Sequence, residues 1–455
     1  MRLKMIDQYR GLPRPVYMLM IARLIIATGT FVYPFLTMFL SSRIGMDDQQ
    51  VSRYLLLVAL AQLPANLLGG KLADRFPRKL VYGTAMLLSA SFFALSGFFC
   101  QHSFVVYLIL VGYFFSNMSH PVLSAMIMDS TDDSNRQESF SLVYLGFNLG
   151  YAIGPMIAGL LFEEHTPWIF WGQAILVSSA VLLVLLQMPL LAPGRSMAQR
   201  PIPSRESDRT AESAYGSEST RRLEPAEPAY TSAPAPVPLA ADQSATAQVG
   251  LWKLLRHDPV IWIFGLCLTT FGVAYAQITY LLPLDLELTQ GVSGASTSIS
   301  LVWSLNGAVV FLASPLVVLL TKKNPPVLNC ALGGLFYMLG FGGTAFIQGR
   351  LWFLLPFVVI WSAGEILCNT NSGVFIANHA PASHRARYQS IYDVIQNLGK
   401  AAGPLLMGFF LLWHSYRQGW ILVSLLCLLA AWGLALLQRS LKRSAAKEAA
   451  RPVQE

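Results

Sequence analysis

The run Ser134–Phe162 reads SNRQESFSLVYLGFNLGYAIGPMIAGLLF, and His384–Leu411 reads HRARYQSIYDVIQNLGKAAGPLLMGFFL. The second is a copy of the first displaced by 249 positions: Arg136 falls on Arg385, Ser141 on Ser390, Asn148-Leu149-Gly150 on Asn397-Leu398-Gly399, Gly154-Pro155 on Gly403-Pro404 and Gly159 on Gly408. A period this long excludes a solenoid of small units. Each copy is an apolar run of helix length entered through a basic turn. Two related halves of a membrane transporter would carry this signature.

Composition points the same way. The 455 residues are 54% hydrophobic and 12% charged, with mean hydropathy +0.50, whereas a soluble domain carries about 25% charged residues. Apolar segments fall at 16–40, 51–72, 80–99, 104–128, 139–162, 168–190, 259–282, 297–320, 326–347, 351–378, 387–412 and 418–438. Long continuous apolar runs specify helices and not barrel strands. The expected fold is therefore all-α: twelve transmembrane helices, six in residues 1–190 and six in 258–440, followed by a tail at 441–455.

The net charge of +8 is a topology signal. Arg2, Lys4, Arg10, Arg14, Lys71, Arg75, Arg78, Lys79, Arg136, Lys322, Lys323, Arg385, Arg387 and the basic tail fall on one side. Arg43, Arg53, Arg350 and Arg417 fall on the other. By the positive-inside rule both termini are expected in the cytoplasm, with the chain in the inner membrane. The basic face with readout groups that nucleic acid requires is not found.

Residues 192–250, rich in Pro, Ala, Ser, Glu and Arg, read as a disordered cytoplasmic linker within 191–257. Leu251-Trp252-Lys253-Leu254-Leu255-Arg256 reads as a short interfacial helix. The stretch Tyr17–Leu40 is too long for the apolar core of a cleavable signal. The five cysteines, Cys100, Cys267, Cys330, Cys368 and Cys427, have neither metal nor disulfide spacing and read as small packing residues. No nucleophile elbow, metal set or phosphate loop suggests an enzyme.

After the second segment comes Gly69-Gly70-Lys71-Leu72-Ala73-Asp74-Arg75-Phe76-Pro77-Arg78-Lys79. Glycine permits close helix approach, Asp74 ends the span with an anion, and the cations anchor a tight turn. This stretch resembles the G-x-x-x-D-R-x-G-R-K signature of the major facilitator superfamily at Gly70, Asp74, Arg75, Arg78 and Lys79, with Pro77 in place of the second glycine. The resemblance implies that Asp74 sits against the start of the eleventh helix. It also implies that Arg78 pairs with an acid ending the fourth, for which Asp129 is placed. These contacts would gate the cytoplasmic side; a topological anchor with no gating role is the alternative. The matching place in the second half, LLTKKNPPVL, keeps Lys322 and Lys323 and lacks the acid.

The fifth-segment motif Gly150-x3-Gly154-Pro155-x3-Gly159 and its copy Gly399-x3-Gly403-Pro404 place small residues where helices touch backbone to backbone in lipid. The first copy resembles the antiporter motif of major facilitator drug exporters. Plain helix packing would also explain it.

Ionisable residues inside the spans are functional candidates by default: Arg23, His120, Glu365, Asp393 and Lys400. By helical rise, Glu365 and Lys400 share a depth of roughly 20 Å from the basic side, and Arg23 and His120 one of roughly 12 Å. Glu365 and Lys400 are expected to form a pair whose protonation couples to access, with a purely structural pair as the alternative. His120 could shuttle protons or pack; Arg23 could touch substrate or snorkel. Lys400 stands where the first repeat has Tyr151.

Tyr33, Tyr275, Gln277, Tyr280, Asn306 and Asn369 are expected to line the cavity. The Arg23-x5-Gly29-x4-Pro34 run, Gly364-Glu365 and the Ala380–Tyr388 turn most resemble bacterial drug:proton antiporters. That resemblance implies a monomeric, proton-coupled exporter of a small organic solute needing no cofactor. The excess of mid-depth cations suits an anionic or zwitterionic solute, so an importer of peptides or organic anions stands beside it. A membrane scaffold or receptor is the reading from another class.

Overall fold

The computed structural model describes residues 9–132, 135–188, 258–347, 350–379 and 385–449. The linker and interfacial helix expected at 191–256 lie outside them. Helices run α1 Arg14–Thr28, α2 Val32–Met38, α3 Asp48–Arg75, α4 Arg78–Phe98, α5 Val105–Asp129, α6 Arg136–Glu164 and α7 Thr166–Gln187, then α8 Pro259–Tyr275, α9 Leu281–Thr321, α10 Pro326–Thr344, α11 Leu351–His379, α12 Arg385–Phe410 and α13 Tyr416–Ala449. Among the described residues there are no strands. Helices are what lipid demands, since each backbone N–H and C=O is then paired within its own segment.

Ten helical stretches are long and apolar enough to cross a bilayer, and one of them, Pro259–Thr321, is 63 residues long. At 1.5 Å per residue that is about 95 Å, more than twice the full bilayer thickness of about 40–45 Å, so it must cross and return. Gly291, at φ 71°, turns the chain inside it, a backbone state that glycine enters without steric cost. Together with the more polar α12, the twelve expected segments all coincide with helix. The last helix continues past its expected end at 438 to Ala449, because SLKRSAAKEAA is rich in helix formers.

Local chemistry sets the ends. Asp47 caps α3 through the Gln50 backbone N–H while the Gln50 side chain returns to the Asp47 backbone, a reciprocal capping box. Pro77 stops α3 at Arg75, since the residue before a proline is pushed to extended backbone; Phe76 has φ −119° and ψ 158°.

The first crossing is broken between Thr28 and Val32. Pro34 lacks an N–H, and its ring collides with the carbonyl four residues earlier, at Thr30. The freed N–H groups of Phe31 and Val32 both donate to Gln173 Oε1 of α7, at 3.2 and 3.1 Å. The seventh crossing breaks at the matching place: α8 ends at Tyr275, and α9 begins at Leu281. Thr279 and Pro283 stand 249 positions after Thr30 and Pro34, so the repeat extends to the first helix of each half.

Small residues weld these helices in pairs. A Cβ on Gly150 would lie 2.4 Å from the Leu24 carbonyl oxygen and 2.8 Å from Ala27 Cβ. One on Gly403 would meet the Val273 oxygen and Ala276 Cβ, both at 2.9 Å, the repeat equivalents of Leu24 and Ala27. Yet Gly403 is the equivalent of Gly154, not of Gly150. Likewise Gly399 meets the Thr269 oxygen at 2.2 Å, as Gly146 meets the Met20 oxygen at 2.9 Å. The α12–α8 seam is thus slipped by four residues, one helical turn, relative to α6–α1.

The helices before and after the 199–259 segment belong to one compact unit. They meet chiefly along α6 with α9 and α3 with α12, which are repeat-related pairs. Large apolar side chains such as Leu160, Leu186 and Leu312 point outward, 72 to 82% exposed. Such an apolar exterior is suited to lipid.

Candidate functional site

Breaking α1 and α8 at mid-height opens space between the repeats. One chamber of about 710 Å³ is walled by Tyr33, Phe147, Asn148 and Tyr151 on one side, and by Tyr275, Trp303, Asn306, Glu365 and Lys400 on the other. It shares Tyr275, Glu365 and Lys400 with a narrow lobe reaching Asn369 and Gln396. It also shares Tyr33, Phe147 and Lys400 with a cleft of about 1550 Å³ between α3 and α12, where His120, Gln62 and Asn66 lie.

Glu365 accepts a hydrogen bond from Asn306 Nδ2 at 2.9 Å. The same nitrogen reaches Ser362 Oγ at 2.8 Å, and Ser362 donates to the Val358 carbonyl at 2.7 Å. Lys400 Nζ lies 5.7 Å from the centroid of the Tyr275 ring, within cation–π range, and the Tyr275 side chain also interacts with Glu365. Glu365 and Lys400 line one chamber, but no oxygen and nitrogen of the two lie within 4.0 Å. The two charges thus share the chamber and both adjoin Tyr275 without the direct ion pair expected from their shared depth, since equal height on two helices leaves the direction of each side chain open.

Arg23 does not line the chamber. Its guanidinium stacks 4.6 Å over the Phe147 ring, and Phe147 faces the chamber. His120 opens into the cleft. Two residues expected in the cavity are elsewhere. Tyr280 is buried, and its hydroxyl donates to the Asp48 carbonyl at 2.8 Å; the turn after the α8 break swings it toward the end of the bundle. Gln277 is also buried, with its Nε2 on the Val273 carbonyl at 2.9 Å.

Hydrogen bonds that join residues on either side of the 199–259 segment gather at one end of the bundle among the described residues. Besides Tyr280, Tyr416 donates to Asp48 Oδ2 at 2.7 Å, Ser41 to Glu287 Oε2 at 2.6 Å, Ser296 to the Gly159 carbonyl at 3.1 Å, and Thr37 to the Thr279 carbonyl. Among the described residues, no bond of this kind joins two described partners at the opposite end, where α3 and α12 flank the cleft. The chamber is closed at the Asp48 end and open at the Asp74 end.

At that open end Arg78 forms an ion pair with Asp129 and donates to the Ala125 carbonyl at 2.9 Å. Lys79 donates to the Met188 carbonyl. Asp74 and Arg75 are exposed; the turn leading into the eleventh segment, against which Asp74 is expected to sit, lies outside the described residues. Close approach at the motif belongs to Gly69, whose added Cβ would lie 2.0 Å from the Met118 carbonyl oxygen. Gly70 has nothing within 4 Å. The antiporter-like motif is a seam: Gly150 and Gly154 face α1, and Gly159 faces Ser300 of α9. The side chains of Arg385, Arg387 and Asp393 lie outside the described residues.

The wall residues missed in the sequence are Phe147, Asn148, Trp303 and Gln396. The repeat could have found most of them. Phe147, Asn148 and Tyr151 correspond to Gln396, Asn397 and Lys400, and all six face the chamber or its extensions.

A family model described as Major Facilitator Superfamily matches residues 19–402 and 367–454. The chain is 22% identical over 424 residues to the uncharacterized MFS-type transporter YttB of Bacillus subtilis (strain 168), covering 92% of this chain and 93% of that one. It is 27% identical over 168 residues to YhjO of the same organism, 36% of this chain and 41% of that one. It is 26% identical over 178 residues to the multidrug resistance protein MdtH of Yersinia pestis (strain Pestoides F), 39% of this chain and 44% of that one. Among solved structures, the nucleoside transporter NupG superposes with TM-score 0.68 at 14% identity, over 93% of this chain and 99% of that one. An auto-inhibited POT family peptide transporter superposes with TM-score 0.68 at 17% identity, over 94% and 97%.

Proposed function

The chain belongs to the Major Facilitator Superfamily, a family of membrane transporters, and from that membership we propose that it is a proton-coupled exporter of small organic solutes working by alternating access. The observation that carries the proposal is Glu365, a carboxylate at mid-height in a chamber open at one end and latched at the other. A carboxylate in low dielectric changes its charge only at a cost, so proton binding and the rearrangement of its partners Asn306 and Tyr275 are linked. With the basic side read as cytoplasmic from the distribution of Lys and Arg, the latch at the Asp48 end and the cleft on the Asp74 side support reading this structure as the inward-open member of the cycle. The residues 1–190 and 258–440 act as the two bundles that rock about the chamber. The aromatic wall suits a multidrug-type range of solutes, as does the partial similarity to MdtH.

The test is solute flux in reconstituted vesicles under an imposed pH gradient, wild type beside Glu365→Gln. Export coupled to proton entry moves solute and protons in opposite directions, and Glu365→Gln abolishes the gradient dependence while leaving solute exchange. Parallel flow would make the protein an importer. Full gradient dependence in the variant would remove Glu365 from the coupling.

A further inference from the structure

The chamber has a charge problem that the proton-coupling reading leaves unsolved. Lys400 is open to the chamber and rests on the face of Tyr275, with no carboxylate within 4.0 Å among the described residues. An ammonium carries three donors. A ring face partly offsets its charge and satisfies no donor geometry as an acceptor oxygen would. Glu365 is the one described carboxylate in the chamber, and its Oε2 is already held by Asn306. Arg23 adds a second cation behind Phe147, again with no carboxylate within 4.0 Å among the described residues. Cations in low dielectric need anionic partners, and the chamber's one described acid is hydrogen-bonded to Asn306 and within ion-pair distance of neither cation.

The uncharged part of the chamber is aromatic. Tyr151 meets Trp303 edge to face, with centroids 5.5 Å apart at 83°, and Tyr33 meets the same indole at 6.5 Å.

We propose that the chamber binds organic anions: a planar aromatic solute whose carboxylate is received by Lys400 and whose ring packs among Tyr33, Tyr151 and Trp303. This rests on the carrier reading above and names its substrate class. Tyr151 and Lys400 are repeat equivalents, so one repeat supplies the ring wall and the other the charge. A cationic solute of the same shape would meet the ammonium and be disfavoured by like charge.

The experiment is a binding titration of the full chain in detergent. The probes are matched pairs: 2-naphthoate against 2-naphthylmethylammonium, and 4-biphenylcarboxylate against 4-biphenylmethylammonium. The readout is quenching of the Trp303 fluorescence, defined by subtraction of a Trp303→Phe variant. The carboxylates are expected to quench and the ammonium partners not. Lys400→Gln should weaken carboxylate binding about tenfold or more, and Lys400→Arg should keep it within about threefold. Preference for the ammonium members, equal binding of both, binding of neither, or an unchanged affinity in Lys400→Gln overturns the proposal. A preparation that exports a cationic solute and prefers ammonium probes keeps the carrier reading and loses this one. A preparation that binds carboxylates through Lys400 and moves no solute does the reverse.

Discussion

Lys400 lies over the ring of Tyr275, 5.7 Å from its centroid, and the same tyrosine's side chain meets Glu365. One side chain therefore senses both charges of the chamber, the cation through its face and the acid through its edge. Tyr275→Phe keeps the first contact and removes the second. It is expected to leave carboxylate binding within about threefold, while gradient-driven flux falls severalfold. Vesicle flux and the binding titration, run on the same preparation, separate the two contacts.

Asn306 spans Glu365 and Ser362 through one amide nitrogen. Asn306→Leu leaves the half-buried Glu365 carboxylate short of a donor, a loss of about 1–3 kcal/mol. Both a lower unfolding temperature in detergent and weakened gradient-driven flux are expected, and Asn306→Gln should restore part of each.

Adjacent glycines should behave in opposite ways. Gly69→Ala drives a methyl to 2.0 Å from the Met118 carbonyl oxygen and should separate α3 from α5, with a clear fall in unfolding temperature. Gly70→Ala meets nothing within 4 Å and should be neutral or stabilising by up to about 1 kcal/mol through helix propensity. Thermal unfolding of the two variants side by side decides it.

Gln173 feeds two backbone N–H groups at the break between α1 and α2. Gln173→Leu orphans the Val32 N–H in a buried setting, at about 1–3 kcal/mol, while the Phe31 N–H keeps the Gly29 carbonyl at 2.8 Å. Lower thermal stability is expected, with faster amide exchange at Phe31 and Val32 than at α1 residues nearer its start.

The latch at the closed end rests on Asp48, which holds Tyr416 through its carboxylate and Tyr280 through its carbonyl. A hydrogen bond to a charged acceptor contributes about 1.5–3 kcal/mol. Tyr416→Phe should therefore enlarge the population open at that end by about tenfold or more. Spin labels at the exposed Gln50 and Gln418 would report it as a longer distance component; an unchanged distribution would show that the bond does not hold the end shut.

The helices, their pairing into repeats and the two charged residues of the chamber were legible in the sequence because lipid enforces long apolar runs, which make isolated ions conspicuous. Trp303 was not legible. Inside an apolar span, an aromatic that packs and one that faces a cavity have the same local sequence, and only the convergence of helices separates them. Tyr280 and Gln277 failed for the converse reason: polar residues beside a helix break can be turned away from the chamber, and both lie in the break that begins immediately after Tyr275. The Glu365–Lys400 distance was beyond sequence as well, since equal depth fixes height and leaves azimuth open.

The one-turn slip between the two glycine seams means that this molecule is lopsided by a discrete step of about 6 Å, four residues of helical rise. Carbonyl oxygens recur once per helical turn, so the glycines of the two repeats seat against the same kind of notch in different registers. The repeats are therefore unlike in their tightest internal contact, although their sequences align there without a gap.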